Sequence, residues 1–288
     1  MTTQSTQFSF TLSAFGDEIV ADLEGQLEVL ADLKIGYLDL RGEWGVNVLR
    51  MDDEMAGRVR QLYDQAGIGV ACIGSPIGKS PIADPPEKEQ ANLARIFRVA
   101  ERVGARRVRI FSFYPPAGAS HQEFDGYVEE AAHRLARLAE MAGQEGFILV
   151  LENEKGIVGD TIARCHRLLG LVNSPHFRFA WDPANFVQER EADVTVRGWP
   201  LLGPYVAHVH IKDASLADGK ICPAGAGDGQ VVELLAALRD SVYQGFLSLE
   251  PHLLIARHSS GFSGPEGMAT AARALRKLMA EVGCGEAQ

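Results

Sequence analysis

Eight short runs rich in Val, Ile and Phe recur along the chain, and each ends in polar or turn residues, a pattern typical of buried strands. They begin at Phe8, Tyr37, Gly69, Arg107, Phe147, Phe177, Val206 and Gly245. Helical periodicities lie between them, for example Val128, Ala131, Leu135, Leu138 and Ala142 on one face. Strands that alternate with helices predict a parallel sheet with right-handed crossovers. This alternation limits the chain to a small set of α/β architectures.

The strand–helix units, packed into 288 residues, favour a single (β/α)8 barrel over an open, doubly wound sheet. The open sheet often carries a glycine-rich phosphate turn after its first strand, and this sequence has none there. The glycine-rich stretch Pro223–Gly229 comes late, does not follow a strand directly, and is better explained as an active-site loop. We therefore predict one barrel domain over residues 1–288, with residues 1–7 as a flexible tail.

The charge balance argues against a polyanionic partner. The chain has 28 basic and 38 acidic residues, a net charge of −10, and its densest basic cluster is the short run Ala105–Arg109. No apolar run approaches membrane-spanning length, and the N-terminal segment lacks the features of a secretory signal. The four cysteines form no C-x-x-C pair and are typical of reduced thiols. We expect a cytoplasmic protein that binds neither nucleic acid nor membranes.

In the second half of the chain, polar side chains mark the end of each predicted strand. They are Glu152 and Glu154 on the fifth, Asp182 on the sixth, His208 and His210 on the seventh, and Glu250 and His252 on the eighth. In a (β/α)8 barrel the C-terminal strand ends meet at one mouth, where active sites lie. Alternation along a strand places His208, His210 and Lys212 on one face. The sequence therefore predicts a site of carboxylates and imidazoles at this mouth.

Three carboxylates and an imidazole that converge on one mouth would repel one another and lose solvation unless a cation joined them. A divalent metal would keep each carboxylate ionised and the histidine neutral. His210 is the better ligand because it lies nearer the rim, with His208 one layer deeper. A single glutamate or histidine at a strand end is more often a hydrogen-bonded structural residue. Four consecutive strand ends with polar residues favour the metal.

Ten short motifs run from the first strand to the last helix. They are GDEI (Gly16), GEWGVNVL (Gly42), CIGSPIGK (Cys72), FSFYPP (Phe111), LENEKG (Leu151), DPANF (Asp182), HVHIKDA (His208), PAGAGDGQ (Pro223), LSLEPHL (Leu247) and GFSGPE (Gly261). Together they resemble the xylose isomerase-like TIM barrels, a family of sugar phosphate isomerases and epimerases. The resemblance implies a metal set of Glu152, Asp182, His210 and Glu250, which are positions already selected at the strand ends.

The implied ligand set has one nitrogen and three oxygen donors, which suits a hard or borderline divalent cation. Mn²⁺ is the favoured cation, and Mg²⁺, Co²⁺, Zn²⁺ and Fe²⁺ are compatible. In the epimerase branch of the family, the first and last glutamates lie on opposite faces of the substrate carbon. The resemblance therefore implies that Glu152 and Glu250 exchange its proton. We expect a divalent-metal-dependent isomerase or epimerase that moves a proton next to the carbonyl of a small sugar or polyol, through an enediolate.

Two positions depart from the family pattern. Relatives that epimerise free ketoses usually have a histidine where this chain has Asn185, and tend to have an arginine where it has Leu216. Lysines near the mouth could instead polarise a carbonyl or bind an anionic group, although a solvated surface role explains each one equally well. Lys79, inside the GSPIGK turn, is favoured as functional. The candidate substrate-binding residues are Lys79, Lys155, Asn185, Lys212, His208, His252, Glu43 and Trp44.

Three other functions are compatible with the sequence. The first is a metal-dependent lyase or dehydratase that acts by β-elimination on a keto-sugar or 3-keto-glycoside, including C-glycoside cleavage, with Lys79 as the base. The second is phosphodiester cleavage, as in one branch of the AP endonucleases, which the acidic balance opposes. The third is a non-catalytic sugar-binding barrel, which an intact metal quartet opposes. The sequence shows no phosphate-binding loop or arginine cluster, and a homo-oligomer is compatible with it.

Overall fold

The computed structural model describes residues 8–253 and 263–287, and its centre is a closed sheet of eight parallel strands. The strands are β1 (Ser9–Phe15), β2 (Tyr37–Leu40), β3 (Gly69–Gly74), β4 (Arg107–Ile110), β5 (Ile148–Glu152), β6 (Phe177–Trp181), β7 (Val206–Ile211) and β8 (Phe246–Leu249). Strands that follow one another in sequence pair in the sheet, and β8 pairs with β1 to close the barrel. The predicted (β/α)8 barrel is confirmed, whereas the predicted tail at residues 1–7 lies outside the described residues.

Helices connect successive strands around the outside of the sheet. They are α1 (Leu23–Asp32), α2 (Asp53–Ala66), α3 (Pro86–Val103), α4 (Val128–Glu145), α5 (Ile162–Val172), α6 (Pro183–Gln188), α7 (Val194–Leu202), α8 (Val231–Asp240) and α9 (Gly264–Glu281). Short 3₁₀ helices span Gly16–Glu18, Val48–Arg50, His121–Tyr127 and Gly203–Tyr205. Short antiparallel pairs join Gly42–Glu43 to Val46–Asn47 and Asp213–Ala214 to Ile221–Cys222, and Gly285–Glu286 pairs with the start of β1.

The outer helices pack against the core through the apolar faces from which the sequence analysis predicted them. On α4 the predicted face, Val128, Ala131, Leu135, Leu138 and Ala142, is fully buried. Gly146 follows this helix with a φ of 73°, a left-handed conformation that glycine adopts without a steric penalty. Burial of one apolar stripe per helix therefore sets the outer layer of the barrel.

The inside of the barrel becomes polar toward the C-terminal ends of the strands. Cys72, Val150 and Ala180 form a small buried cluster that is separate from the main core. Side chains two positions apart share a face of a strand, so Glu152 follows Val150 on this inner face. Asp182 follows Ala180 in the same way, in an extended conformation just beyond β6. The pleat of the strands thus directs the acidic strand ends toward the mouth of the barrel.

Within residues 8–253 and 263–287, every helix is too short or too polar to cross a membrane. The cysteines Cys72, Cys165, Cys222 and Cys284 all carry free thiols.

Candidate active site

Four acidic and imidazole side chains meet where β5, β6, β7 and β8 end. Glu152 is the last residue of β5, Asp182 follows β6, His210 lies near the end of β7, and Glu250 follows β8. One ligand atom from each of these four residues lies within 4.8 Å of the others. Each of the four is 3% exposed or less. The structure therefore brings together the quartet that the sequence selected.

His210 lies between the two glutamates of the quartet. Its Nδ1 atom is 3.1 Å from Glu152 Oε1 and 3.5 Å from Glu250 Oε2. The ring packs edge-on against Phe15, with ring centroids 5.2 Å apart. His210 Nε2 is buried and has no hydrogen-bond partner among the described residues. The imidazole therefore presents Nδ1 to the glutamates.

Two arginines from the first half of the chain hold the other oxygens of the two glutamates. Arg109 Nη1 donates to Glu152 Oε2 at 2.7 Å, and Arg41 Nη1 donates to Glu250 Oε1 at 2.9 Å. Neither arginine was among the predicted site residues. Arg109 lies within β4, where an unpaired guanidinium would be costly to bury, so its place in an apolar strand was a signal for a buried partner.

Lys212 is a buried cation beside two carboxylates of the quartet. Its Nζ lies 2.8 Å from Asp182 Oδ2 and 3.2 Å from Glu250 Oε2. The side chain is 5% exposed, so these carboxylates replace most of its hydration. The ammonium therefore offsets part of the negative charge that the quartet concentrates.

The pKa values of the quartet follow from these contacts. Burial raises the pKa of Glu152, but the positive charges at His210 and Arg109 outweigh burial and lower this pKa below its ordinary value. Burial raises the pKa of Asp182 to about 6, with the neighbouring glutamates adding to the shift and Lys212 opposing it. Of Glu152 and Asp182, Asp182 is therefore the carboxyl group that protonates first as the pH falls.

The quartet fits a divalent cation. It offers one imidazole nitrogen and three carboxylates, the donor chemistry that suits Mn²⁺ and Mg²⁺ and that Co²⁺, Zn²⁺ and Fe²⁺ also accept. Asp182 Oδ2 is buried and makes no hydrogen bond of acceptable geometry within the described residues, despite its short distance to Lys212. A lone pair on this oxygen is therefore available to a cation.

Asn153 and Asn185 fix the end of β6 beside the quartet. The Asn153 side chain accepts a hydrogen bond from the Asp182 N–H at 2.9 Å and donates to the Asp182 carbonyl at 2.8 Å. Asp182 Oδ1 then accepts the Asn185 N–H at 3.0 Å and so caps α6. The Asn185 side-chain nitrogen lies 3.4 Å from Glu152 Oε1. Asn185, predicted to bind substrate, thus also positions two members of the quartet.

His208 packs beneath His210 and has its own carboxylate partner. His208 Nε2 lies 2.7 Å from Asp39 Oδ2, and Asp39 Oδ1 accepts the Ser13 hydroxyl at 2.9 Å. Burial lowers the pKa of His208, against the charge of Asp39. The rings of His208 and His210 meet edge to face, with centroids 5.3 Å apart. His208 therefore supports His210 from the layer below, and Asp39 is a supporting residue that the sequence analysis missed.

A cavity of about 290 Å³ opens beside the two glutamates. Its lining includes Glu152, Glu250, Lys79, Lys212 and His252. His252 has a φ of 47°, which is uncommon for a residue other than glycine, and its Nε2 lies 3.4 Å from Glu250 Oε1. Three predicted substrate-binding residues, Lys79, Lys212 and His252, are therefore placed at the cavity.

Three other predicted substrate-binding residues have different surroundings. Lys155 is exposed. Trp44 is half-buried, and the Arg58 guanidinium lies 4.6 Å from its ring centroid. Glu43 is buried and accepts the Tyr63 hydroxyl at 2.6 Å. In the described part of the chain, the cavity lining includes none of these three residues.

Glu43 gives the fold a pH dependence that can be measured. Burial raises its pKa to about 8 from an ordinary value of 4.5, so the folded chain holds this proton more tightly than the unfolded chain. The contribution of Glu43 to the free energy of unfolding is therefore fully present below pH 4.5 and is lost as the pH rises toward about 8. We expect Glu43→Gln to remove this loss, because the amide can accept from Gln26 and donate to the Tyr63 oxygen.

Urea denaturation measures this effect as a difference between two pH values. The free energy of unfolding of Glu43→Gln, compared with that of the wild-type protein, should be higher at about pH 9 than at about pH 5 by on the order of a few kcal/mol. Glu28→Gln, at an exposed position on α1, is the control and should show no such difference. An equal effect of Glu43→Gln at both pH values would contradict the assigned pKa.

Solved structures share this fold. A xylose isomerase domain protein from Planctomyces limnophilus matches with a TM-score of 0.71 at 21% identity, over 95% of this chain and 99% of that chain. A D-psicose 3-epimerase from Clostridium cellulolyticum H10, solved with D-tagatose, matches with a TM-score of 0.72 at 15% identity, over 95% of this chain and 100% of that chain. At these identities the likeness shows the fold.

Comparison of the amino-acid sequence gives information about the family in addition to the fold. A 2-epi-5-epi-valiolone 7-phosphate 2-epimerase from Actinoplanes sp. is 28% identical over 209 residues, which are 71% of this chain and 72% of that protein. The sequence profile of the xylose isomerase-like TIM barrels matches residues 27–278, which is most of the chain. The motifs, the closed barrel and this match lead to one conclusion: the chain belongs to the xylose isomerase-like TIM barrel family.

Proposed function

We propose that the protein is a divalent-metal-dependent sugar isomerase or epimerase that moves a proton next to a carbonyl. The observation that carries the proposal is the convergence of Glu152, Asp182, His210 and Glu250, whose ligand atoms lie within 4.8 Å of one another. Two of them, Glu152 and Glu250, also line the cavity and can reach a bound molecule. The similarity to a protein named as an epimerase supports the same class of reaction.

The quartet would hold the cation, with Mn²⁺ favoured, and the bound cation would polarise a substrate carbonyl and stabilise the charge that develops on its oxygen. Glu152 and Glu250 are placed to move the proton. Each turns one oxygen toward His210 Nδ1 and the other toward an arginine. Burial raises the pKa of each glutamate, but the neighbouring positive charges outweigh burial and lower the pKa below its ordinary value. Both glutamates are therefore ionised at neutral pH. One glutamate removes the proton, and the other returns it from the opposite face of the carbon.

Other residues would orient the substrate or the quartet. Lys212 and His252 line the cavity, and each contacts Glu250, so their N–H groups are placed to bind substrate oxygens close to the site of proton transfer. Asn185 and His208 also contact the quartet but are not part of the cavity lining in the described residues, and they hold the quartet in place. A change at His252 should therefore act mainly on substrate binding, whereas a change at Lys212 should also alter the quartet, because Lys212 contacts both Asp182 and Glu250.

A metal-dependent lyase or dehydratase is the second candidate, and the position of Lys79 favours it. Lys79 lines the same cavity as the glutamates, whose pairing with arginines makes them weaker bases. In this reaction Lys79 would remove the proton next to the carbonyl, a carbon–carbon double bond would form, and a leaving group would depart from the neighbouring carbon. The glutamates would then act only as ligands.

We expect the purified protein to bind about one divalent cation per chain. Elemental analysis after mild purification, and again after Mn²⁺ is supplied, measures this occupancy. A protein that stays free of metal after Mn²⁺ addition would contradict the metal site.

Deuterium incorporation tests the reaction. In D₂O, mass spectrometry over a panel of ketoses, inososes and 3-keto-glycosides should find exchange into at least one compound, and a chelator should stop it. Release of water or an aglycone would identify the lyase. Exchange that continues in the presence of the chelator would show that the cation is not required.

A further inference from the structure

A second cavity, of about 330 Å³, lies beside the cavity that the two glutamates line. Its wall includes four residues of the GEWGVNVL motif, which are Gly42, Gly45, Val46 and Asn47. Arg41 and Asn47 line both cavities, so the two spaces adjoin at these side chains. A motif that has no part in the proposed proton transfer therefore forms the wall of a space that continues from the quartet.

The wall of the second cavity is a tight hairpin that is formed before any ligand binds. Residues Gly42–Glu43 pair with Val46–Asn47, and the chain turns between them at Trp44 and Gly45, with φ of 48° and 73°. A Cβ on Gly42 would lie 2.7 Å from the Val46 carbonyl oxygen, so glycine allows the two strands to approach this closely. A preformed wall can bind a ligand with little cost in the ordering of the chain.

The lining of the second cavity offers hydrogen bonds without an unbalanced charge. In the described part of the chain its charged residues are Asp17 and Arg41, and Arg41 Nε donates to Asp17 Oδ2 at 2.7 Å. Asn47 Oδ1 accepts the Leu49 N–H at 3.0 Å, which fixes the orientation of the amide. Asn47 is exposed, so its Nδ2 group presents two N–H donors to the cavity. Gly45 is also exposed, and its carbonyl oxygen can accept. This lining suits an uncharged ligand with hydroxyl groups, which both donate and accept hydrogen bonds.

We propose that the substrate carries a second, uncharged sugar ring, and that the second cavity binds this ring while the reacting ketose lies beside Glu152 and Glu250. The cavities measure about 290 and 330 Å³, and together they lie within the range of about 300–1,000 Å³ that is usual for small-molecule sites. Asn47 lies where they adjoin, so its amide is placed to donate to oxygens near the linkage between the rings. The inference rests on the proposed function, because the reacting ring occupies the cavity that the glutamates line.

Isothermal titration calorimetry on the full chain, with Mn²⁺ present, tests this inference with D-fructose and with turanose, lactulose and isomaltulose. These disaccharides carry a second ring on O3, O4 and O6 of fructose, and we expect at least one to bind about 10-fold more tightly than D-fructose. Ala21 lines the second cavity and, among the described residues, is not part of the lining of the first. Ala21→Phe should therefore remove the preference and leave the affinity for D-fructose unchanged. Ala163→Phe, at an exposed position on α5, is the control and should keep the preference.

Asn47→Asp is a second test, with a side chain of the same size. The carboxylate still accepts the Leu49 N–H, so the local backbone keeps its hydrogen bond. The change removes both N–H donors of the amide. It should therefore lower the affinity for the preferred disaccharide more than the affinity for D-fructose.

The titrations, together with deuterium exchange, separate this inference from the proposed function. The second-ring site would be overturned by equal affinities for D-fructose and all three disaccharides, by no binding of any of them at millimolar concentration, or by a preference that Ala21→Phe leaves intact. If Ala21→Phe does not fold, Asn47→Asp decides in the same way. A protein that prefers a disaccharide but exchanges no deuterium into any sugar would overturn the proposed function alone. Exchange into monosaccharides, with no gain in affinity from a second ring, would overturn the second-ring site alone.

Discussion

Glu152→Gln and Glu250→Gln should each abolish deuterium exchange into the substrate, with a loss of roughly 10²- to 10⁴-fold from proton transfer alone. Glutamine keeps the shape of the side chain but cannot take a proton from carbon, and its neutral oxygen is a weaker ligand for a cation. One oxygen of each glutamate lies 3.1 Å or 3.5 Å from His210 Nδ1. Each change should therefore weaken the cation site together with the proton transfer.

Exchange should be followed by NMR with the divalent cation restored to saturation, so that loss of the cation does not explain the result. Glu286→Gln is a matched control, because Arg276 donates to both oxygens of Glu286 at 2.6 Å and 2.9 Å near the start of β1, at the opposite end of the barrel. Full exchange in both cation-loaded variants would reject the two-glutamate mechanism. Loss of exchange in Lys79→Ala alone would favour the lyase.

The barrel and the quartet could be predicted because both depend on local periodicity. β7 begins at Val206, where the apolar run begins, and alternation along this strand puts His208 and His210 on one face. The same alternation puts Glu152 on the face of Val150. Since the C-terminal ends of parallel strands meet at one mouth, these local positions were enough to indicate the site.

The partners of the quartet could not be predicted, because they depend on closure of the barrel. Arg41 and Glu250 are 209 positions apart in sequence, and Asp39 and His208 are 169 positions apart. The sequence shows no arginine cluster, yet Arg41 and Arg109 line one cavity. Only the pairing of β8 with β1, and the order of the strands between them, brings such residues together.

Two of the predicted substrate-binding residues, Glu43 and Trp44, lie outside the cavity lining in the described part of the chain. Glu43 and Trp44 are adjacent in the GEWGVNVL motif, but they belong to a tight connection in which Trp44 has a φ of 48°. This connection sends the Glu43 carboxyl group into the protein, toward Gln26 and Tyr63. The direction of a side chain in such a turn depends on backbone dihedrals that a motif does not specify.

Lys212→Met should destabilise the cation-free protein and strengthen its response to metal. The Lys212 ammonium lies 2.8 Å from Asp182 Oδ2 and 3.2 Å from Glu250 Oε2, and all three groups are buried. Removing one member of a buried ionic cluster costs about 3–5 kcal/mol, which lowers the Tm of a chain of this size by several degrees. A divalent cation would contact the same two carboxylates and replace the missing charge. Mn²⁺ should therefore raise the Tm of this variant by more than it raises that of the wild-type protein.

Calorimetry with a chelator and with Mn²⁺ measures both effects. Lys220→Met is the matched control: Lys220 is 82% exposed, pairs with Asp218 at 2.8 Å, and lies on the hairpin that follows β7, so its removal should leave the Tm unchanged. Equal Mn²⁺ responses in Lys212→Met and the wild-type protein would show that the ammonium and the cation do not share these carboxylates. A larger response in the variant would identify Lys212 as an internal counter-charge of the quartet beside Arg41 and Arg109, because buried carboxylates this close together need positive partners before a cation binds.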